Sequence, residues 1–276
     1  MAMTVCVDIG GETTRVGVSS DGQTFSAIER FATSDAFDKE MVSIVGAVRK
    51  HTQHADKIVV AAAGSVDRKQ GTLLVWGQKH TWWGKSIFAP LSEAFPKATL
   101  LLENDANIAA LGEAVYGAGK LYDQVGYLTI SSGIGGGLIH NKTIVPHIYG
   151  LEPAHQIVNV CETDVWSCGQ RGCYESYASG TAFKKLFGMP AEVCTDPDVW
   201  GRYAKLIAVG LANMIVLWSP EIMVIGGGVA QSFDKFIAPL QKELTYLLPI
   251  FDIPKVMRAE LSEPGLFGGL AYNGFI

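Results

Sequence analysis

Residues 98–107 read Ala98-Thr99-Leu100-Leu101-Leu102-Glu103-Asn104-Asp105-Ala106-Asn107. The apolar run that opens the stretch reads as a buried strand. Downstream, Ile108, Leu111, Ala114 and Val115 recur at helical spacing until Gly117 stops them. A polar cluster therefore sits where a strand hands over to a helix, and ligand chemistry in α/β sheets concentrates at such carboxyl ends. Asp105 at this junction can cap the helix, act as a base, or do both.

Working outward, β-branched Val5, Val7 and Ile9 alternate in a strand over residues 3–9, broken by Gly10-Gly11. Strands follow over 14–19 and 25–31, then a helix marked by Phe37, Met41, Ile44, Val45 and Val48, with Ser34 or Asp35 as its cap. Residues 57–63 form a strand that ends at Gly64, and 91–95 belong to a short helix. From Val125 the logic repeats: a strand over 127–130, a glycine turn over 131–137, a strand restarting at Leu138, and another over 143–145. Residues 150–175 are irregular and Cys-rich. A strongly apolar helix spans 200–218, and a strand over 223–225 closes on Gly226-Gly227-Gly228. A helix over 233–247, a strand over 256–261 and a helix over 266–272 complete the chain. The pattern predicts two lobes of similar topology, each with a glycine turn at the mouth of a shared cleft. The break falls near Gly117-Ala118-Gly119, giving residues 1–117 with 263–276 as one lobe and 118–262 as the other.

A chain of 276 residues with 48% hydrophobic side chains can build two cores. Its 22 basic and 27 acidic residues leave a net charge of -5, which offers no basic footprint and predicts no nucleic-acid partner. The N-terminus lacks signal-peptide regions, and no uninterrupted apolar run is long enough for a bilayer, so a cytoplasmic protein with no membrane partner is expected. Five cysteines, an odd number without a signal peptide, argue against a disulfide framework. Three of them, Cys161, Cys168 and Cys173, fall close together, which points to a metal.

Asp8-Ile9-Gly10-Gly11 lies in a tight strand-turn-strand, whose backbone N–H groups can cradle phosphate, although taken alone the motif is more simply an ordinary hairpin. Asp8 there can face Mg²⁺. Ser131-Ser132-Gly133-Ile134-Gly135-Gly136-Gly137 is richer in glycine than a hairpin needs and reads as a second phosphate cradle. Gly226-Gly227-Gly228 can let a flat ligand lie on the backbone or simply turn a strand into a helix. His155, Cys168 and Cys173 have the soft and borderline donors of a structural zinc site, with Cys161 the nearest fourth.

Together these residues resemble the repressor/open-reading-frame/kinase (ROK) family of sugar kinases, within the actin/hexokinase superfamily. Asp8 to Gly11 matches its first phosphate motif, and Glu103 to Asn107 its catalytic E-N-D-A-N. Ser131 to Gly137 matches its second glycine turn, Glu152 and His155 its G-E-x-G-H element, and Cys168-Gly169, Gly172-Cys173 and Glu175 its Cys signature. Ile225 to Gly228 matches its adenosine motif. The resemblance implies an α/β, two-lobed actin-like/ribonuclease H-like ATPase fold, each lobe a mixed sheet with flanking helices. It implies an ATP-dependent kinase that phosphorylates a hexose or N-acetylhexosamine hydroxyl, most simply the 6-hydroxyl as in a glucokinase, and that works as a homodimer. Asp105 is the implied base. Asn104, Glu152, His155, Glu175, Gly64 and Gln78 are the implied sugar contacts. Asp8, Gly10, Gly11, Thr13, Ser132, Gly133, Gly135, Gly226, Gly227 and Gly228 would meet ATP and its Mg²⁺. His155, Cys168, Cys173 and Cys161 would hold structural Zn²⁺. Glu12 stands where the family has a Thr, Trp166 where it has the first zinc Cys, and Gln78 where it has a sugar-binding Asn. These departures keep a second reading open, a sugar-binding regulator without catalysis.

Overall fold

The computed structural model describes residues 2–75, 79–148 and 150–274. It divides into two compact units: Met1–Tyr116, Pro146–Gly150 and Leu261–Ile276 form the first, and Gly117–Val145 with Leu151–Glu260 the second. Against the expected boundaries, the first unit also takes in Pro146–Gly150, and the chain returns to it at Leu261.

The chain opens with β1 (Thr4–Ile9), β2 (Thr13–Ser19) and β3 (Ala27–Ala32), followed by helix α1 (Phe37–Arg49). Then come β4 (Lys57–Ala62), the small hairpin of β5 (Ser65–Asp67) and β6 (Thr72–Val75), and α2 (Phe88–Ala94). β7 (Thr99–Asn104) runs directly into α3 (Asp105–Val115). The second unit holds β8 (Gln124–Ile130), β9 (Ile134–His140), β10 (Thr143–Ile144), α4 (Glu175–Ala178), α5 (Gly180–Phe187) and α6 (Pro197–Trp218). It ends with β11 (Ile222–Gly226), α7 (Phe233–Leu247) and β12 (Lys255–Arg258), before α8 (Pro264–Ala271) returns to the first unit.

The two main sheets repeat one design, with strand orders β3-β2-β1-β4-β7 and β10-β9-β8-β11-β12. In each, an antiparallel meander is extended by two parallel strands. The central parallel strands are covered on both faces, so they read as nearly continuous apolar runs. Val5, Val7, Ile9, Ile58, Val60 and Ala62 all lie in the first core. Aromatic side chains dominate the second, where Phe183 meets Trp200 and Tyr203 edge-on or tilted.

Helix α8 reaches its place through glycine. A Cβ on Gly112 of α3 would sit 2.3 Å from the Pro264 carbonyl oxygen, and one on Gly268 would sit 1.8 Å from that of Ile108. Only a bare backbone lets α3 and α8 approach this closely.

Several local expectations change. α1 begins after Ala36, with no side-chain cap. Ser34 and Asp35 are engaged elsewhere: Ser34 Oγ accepts from the Ala36 N–H at 3.1 Å, and the Lys79 ammonium donates to Asp35 Oδ1. The last strand stops at Arg258, short of the expected Leu261. α6 does reach the length and apolarity that could cross a membrane, but more than half of its most apolar stretch is buried in the protein. It is the core helix of the second unit, contributing Trp200, Tyr203, Ile207 and Leu211.

Candidate active site

In the first unit, register brings the expected residues to one edge. Ile9 pairs with Ala62, and Ala62 with Asn104, so the carboxyl ends of β1, β4 and β7 stand side by side. The Gly10-Gly11 turn, Gly64 and Asp105 all follow directly from those ends. Gly64 has a positive φ of 87°, which glycine adopts freely. Its carbonyl accepts from Asn104 Nδ2 at 3.1 Å. Asn104, not Asp105, is the helix cap: its Oδ1 accepts from the Asn107 N–H at 3.1 Å. Asp105 is thereby moved to the first helical residue. There its carboxylate lies at the positive end of α3 and accepts from the Ala106 N–H at 2.8 Å.

Asp8 lies one residue before the end of β1, and its carboxyl is pushed up to about 7 by burial first and by the Asp105 charge second. Arg15, directly opposite in β2, opposes that rise with a contact of 3.3 Å. Arg15 also meets Glu263 at 2.8 Å, and Arg30 joins the same carboxylate at 2.6 Å. The Gly10 N–H closes the turn onto the Thr13 carbonyl at 3.2 Å. Glu12 is exposed at the turn's tip. The neighbouring hydroxyl of Thr14 is committed inward, to buried Glu40 at 2.5 Å.

Behind Asp105 lies a cluster that sequence reading missed. Glu103 is fully buried and receives Arg68 through Nε at 2.6 Å and Nη2 at 2.8 Å. Asn104 N–H, Asn107 Nδ2 and the Tyr272 hydroxyl also donate to it, at 2.8, 3.2 and 3.3 Å. His147 packs on Arg68 and Asn107 at 3.1 and 3.0 Å, and burial holds its pKa below the usual imidazole value. Nothing in the local sequence announces Arg68 or His147. Arg15 was recoverable, since hairpin register places it across from Asp8.

In the second unit the expected glycine turn is shorter than the glycine run. It covers residues 131–133, and Gly135 and Gly137 already belong to β9. Gly136 is needed for packing, because a Cβ there would meet the Tyr127 carbonyl oxygen at 2.7 Å and Pro153 Cγ at 2.8 Å. The turn is braced by α5: Gly180 N–H donates to the Ser131 carbonyl at 2.7 Å, and the Thr181 hydroxyl to that of Ser132 at 2.7 Å. Gly228 N–H donates to Ser131 Oγ at 3.1 Å, which joins the third glycine motif to the same place. Two glycines of that motif serve packing, since a Cβ would meet the Tyr127 hydroxyl at Gly226 and the Ile130 carbonyl at Gly227. Gly228 alone opens onto free space.

Glu152, His155 and Glu175 also lie in this unit. Burial raises the Glu152 carboxyl above its usual range, His155 opposes the shift, and the Glu175 charge adds to it. Glu175 accepts from the Trp166 indole N–H at 2.9 Å and from the Ile134 N–H at 3.3 Å. Gln78 lies outside the described residues.

The zinc expectation does not fit. Among the described residues no three His, Cys, Asp or Glu side chains are grouped to hold a metal. Cys161 is exposed, His155 Nδ1 faces Gln170 Oε1 at 2.8 Å, and only Cys168 and Cys173 come together, at 3.6 Å between sulfurs. A closed structural site needs four ligands, and here two are present.

A model of the ROK family matches residues 4–270. The chain is 29% identical to a glucokinase of Thermotoga maritima, over 89% of this chain and 88% of that protein. It is also 29% identical to an N-acetyl-D-glucosamine kinase of Escherichia coli, over 96% and 97%. A ROK glucokinase from Streptomyces griseus, solved with glucose and AMPPNP, superposes with a TM-score of 0.84 at 26% identity, covering 97% of this chain and 98% of that one. The mixed sheets with flanking helices are those of the actin-like ATPase fold.

Proposed function

The chain belongs to the ROK family, and on that premise we propose that it is an ATP-dependent sugar kinase. It would transfer the γ-phosphoryl group to a hexose or N-acetylhexosamine, at the 6-hydroxyl. The observation that carries this reading is the place of Asp105: the first residue of α3, at the shared carboxyl edge of β1, β4 and β7, beside Asp8. A purely binding site has no need of an ionised base there.

Phosphoryl transfer asks mainly for positioning and charge neutralisation. Asp105 would accept the proton of the attacking hydroxyl. Asn104, Gly64, Glu152, His155 and Glu175 would bond the other sugar hydroxyls, and Gln78 would join them. The turns at Gly10, Gly11 and Thr13 and at Ser132 and Gly133 would bond the phosphates, with Gly135 lending backbone in β9 and Gly226 to Gly228 bordering the nucleoside. Asp8 fits a divalent cation, because two carboxylates, Asp8 and Asp105, act on one another at the strand ends and Arg15 offsets only part of that repulsion. Mg²⁺ bound with ATP would neutralise phosphate charge there. The glucokinase and N-acetylglucosamine kinase relatives support this substrate class. Use of ATP suits a cytoplasmic enzyme, and a homodimer is the expected assembly, to be checked by light scattering.

The test is ADP release across a panel of hexoses and N-acetylhexosamines. Wild type should turn over at least one of them, and its 6-deoxy analogue should be inert. Asp105→Asn should lose roughly 10²–10⁴-fold in kcat while sugar affinity persists. Turnover at the normal rate in that variant refutes the assignment.

A further inference from the structure

We propose that the segment from His155 to Glu175 keeps its shape without zinc, and that Trp166 positions the Glu175 carboxylate for the sugar. The second half rests on the reading of Glu175 as a sugar contact.

The two sulfurs of Cys168 and Cys173 stand 3.6 Å apart, a spacing two zinc–thiolate bonds of about 2.3 Å can span. The other ligands are not there. His155 Nδ1 lies 2.8 Å from Gln170 Oε1. An amide oxygen only accepts, so Nδ1 donates to it and only Nε2 keeps a lone pair; among the described residues no three His, Cys, Asp or Glu side chains are grouped to bring that nitrogen together with both thiols on one metal. The same amide oxygen accepts from Cys168 Sγ at 3.6 Å, and the amide nitrogen donates to the His155 carbonyl at 3.4 Å. Gln170 thus occupies the space between the histidine and the first thiol, and it satisfies both with neutral hydrogen bonds. Cys161 is exposed, its N–H donating to Asn159 Oδ1 at 3.0 Å.

Residue 166 is a tryptophan, whose indole N–H can donate but cannot coordinate a cation. Its backbone closes the loop. Trp166 N–H donates to the Gln170 carbonyl at 2.8 Å, and Gly169 N–H donates to the Trp166 carbonyl at 2.9 Å. Gly169 takes a φ of 83° to complete this turn, and bridges between Val165 and Arg171 and between Ile157 and Cys173 extend it. The covalent ties a metal would supply are replaced by backbone pairing.

The indole ring is held on one side by the Lys185 ammonium, 5.5 Å from its centroid. From that fixed place Nε1 donates to Glu175 Oε1 at 2.9 Å, while Ile134 N–H donates to Oε2 at 3.3 Å. Each carboxylate oxygen therefore spends one acceptor site on the protein and keeps another. Two neighbouring acceptors in a fixed plane suit two vicinal sugar hydroxyls. Trp166 touches no reacting atom in this scheme and acts through Glu175.

Two measurements decide the proposal. Protein dialysed against EDTA should keep its thermal midpoint and hold well under about one zinc per chain. Zinc retained near one per chain, with unfolding when it is stripped, overturns the first half. Trp166→Phe keeps a ring for Lys185 and removes only the N–H. It should raise the sugar KM roughly tenfold, leaving the ATP KM and the thermal midpoint unchanged. In a Glu175→Gln background the same change should add less than about twofold, the signature of coupling through that carboxylate. An unchanged sugar KM, or equal factors in both backgrounds, overturns the positioning role. Failure of the kinase reading shows separately, as no turnover by wild type on any sugar. Glucose binding measured by calorimetry in the same four proteins then replaces KM, and absence of binding in wild type overturns the positioning role too.

Discussion

Replacing Arg68 with leucine strands a carboxylate that water cannot reach. Glu103 is fully buried, and Arg68 supplies the only cationic partner among its described contacts, through two bonds of 2.6 and 2.8 Å. Three neutral donors remain after Arg68→Leu: Asn104 N–H, Asn107 Nδ2 and the Tyr272 hydroxyl. Breaking such a pair from one side typically costs about 3–5 kcal/mol, because the remaining charge loses its compensation. The Arg68 side chain is 20% exposed, so water can partly replace it. The low end, about 3 kcal/mol, is therefore expected. Hydrogen exchange of the β4 and β7 amides reports the opening of this unit alone. A loss of about 3 kcal/mol should speed the slowest of them roughly a hundredfold. Arg68→Leu in a Glu103→Gln background removes only hydrogen bonds between a cation and a neutral amide and should cost about 1.5 kcal/mol. A change below about fivefold in the single variant, or full additivity between the two, would refute the claim that Glu103 is held as an ion by Arg68.

Asp8 predicts a pH signature in the ligand-free protein. Its carboxyl is raised from 3.8 to about 7 by burial and by Asp105, so the folded chain binds a proton that the unfolded chain releases. Stability contributed by this group falls as pH rises from about 4 to about 7, and ionised Asp8 is a cost above that. Asp8→Asn should therefore stabilise more at pH 8 than at pH 5, by about 2 kcal/mol in urea unfolding; equal effects at both pH values would count against it. Gly133→Ala should act on the sugar rather than on the fold. The added Cβ would lie 2.8 Å from Glu175 Oε2, the movable end of a side chain, so the carboxylate shifts. The sugar KM should rise by roughly tenfold with an unchanged melting temperature, and a large loss of melting temperature at constant KM would show that backbone, not Glu175, yields.

Much of the site was legible because it follows from strand ends. Once β1, β4 and β7 are recognised as parallel neighbours, Gly10, Gly64 and Asp105 must stand together, whatever the distance between them in the chain. The repeat of strand, glycine turn and strand at residues 3–19 and 124–140 was legible for the same reason. The cap was not. Asn104 and Asp105 are both good caps, and their choice depends on Asn104 also reaching the Gly64 carbonyl, a contact across β4 and β7. Glycine-rich stretches do not show in one dimension which of their glycines packing requires. Of Gly226 to Gly228, a Cβ would meet Tyr127 at the first and Ile130 at the second, and open space at the third.

The sequence alone determined the family, the α/β architecture and the identity of the expected base, because these rest on local residue order and short-range periodicity. Only the tertiary structure decided what surrounds them. Arg68, Tyr272 and His147 meet at Glu103 from positions 35, 169 and, through Asn107, 40 residues away. The Cys segment likewise looked like a metal site in one dimension, where residue types can be read but donor directions cannot. In three dimensions His155 turns to Gln170 and Trp166 to Glu175. Coordination requires lone pairs converging on one point, and convergence is a property of the fold.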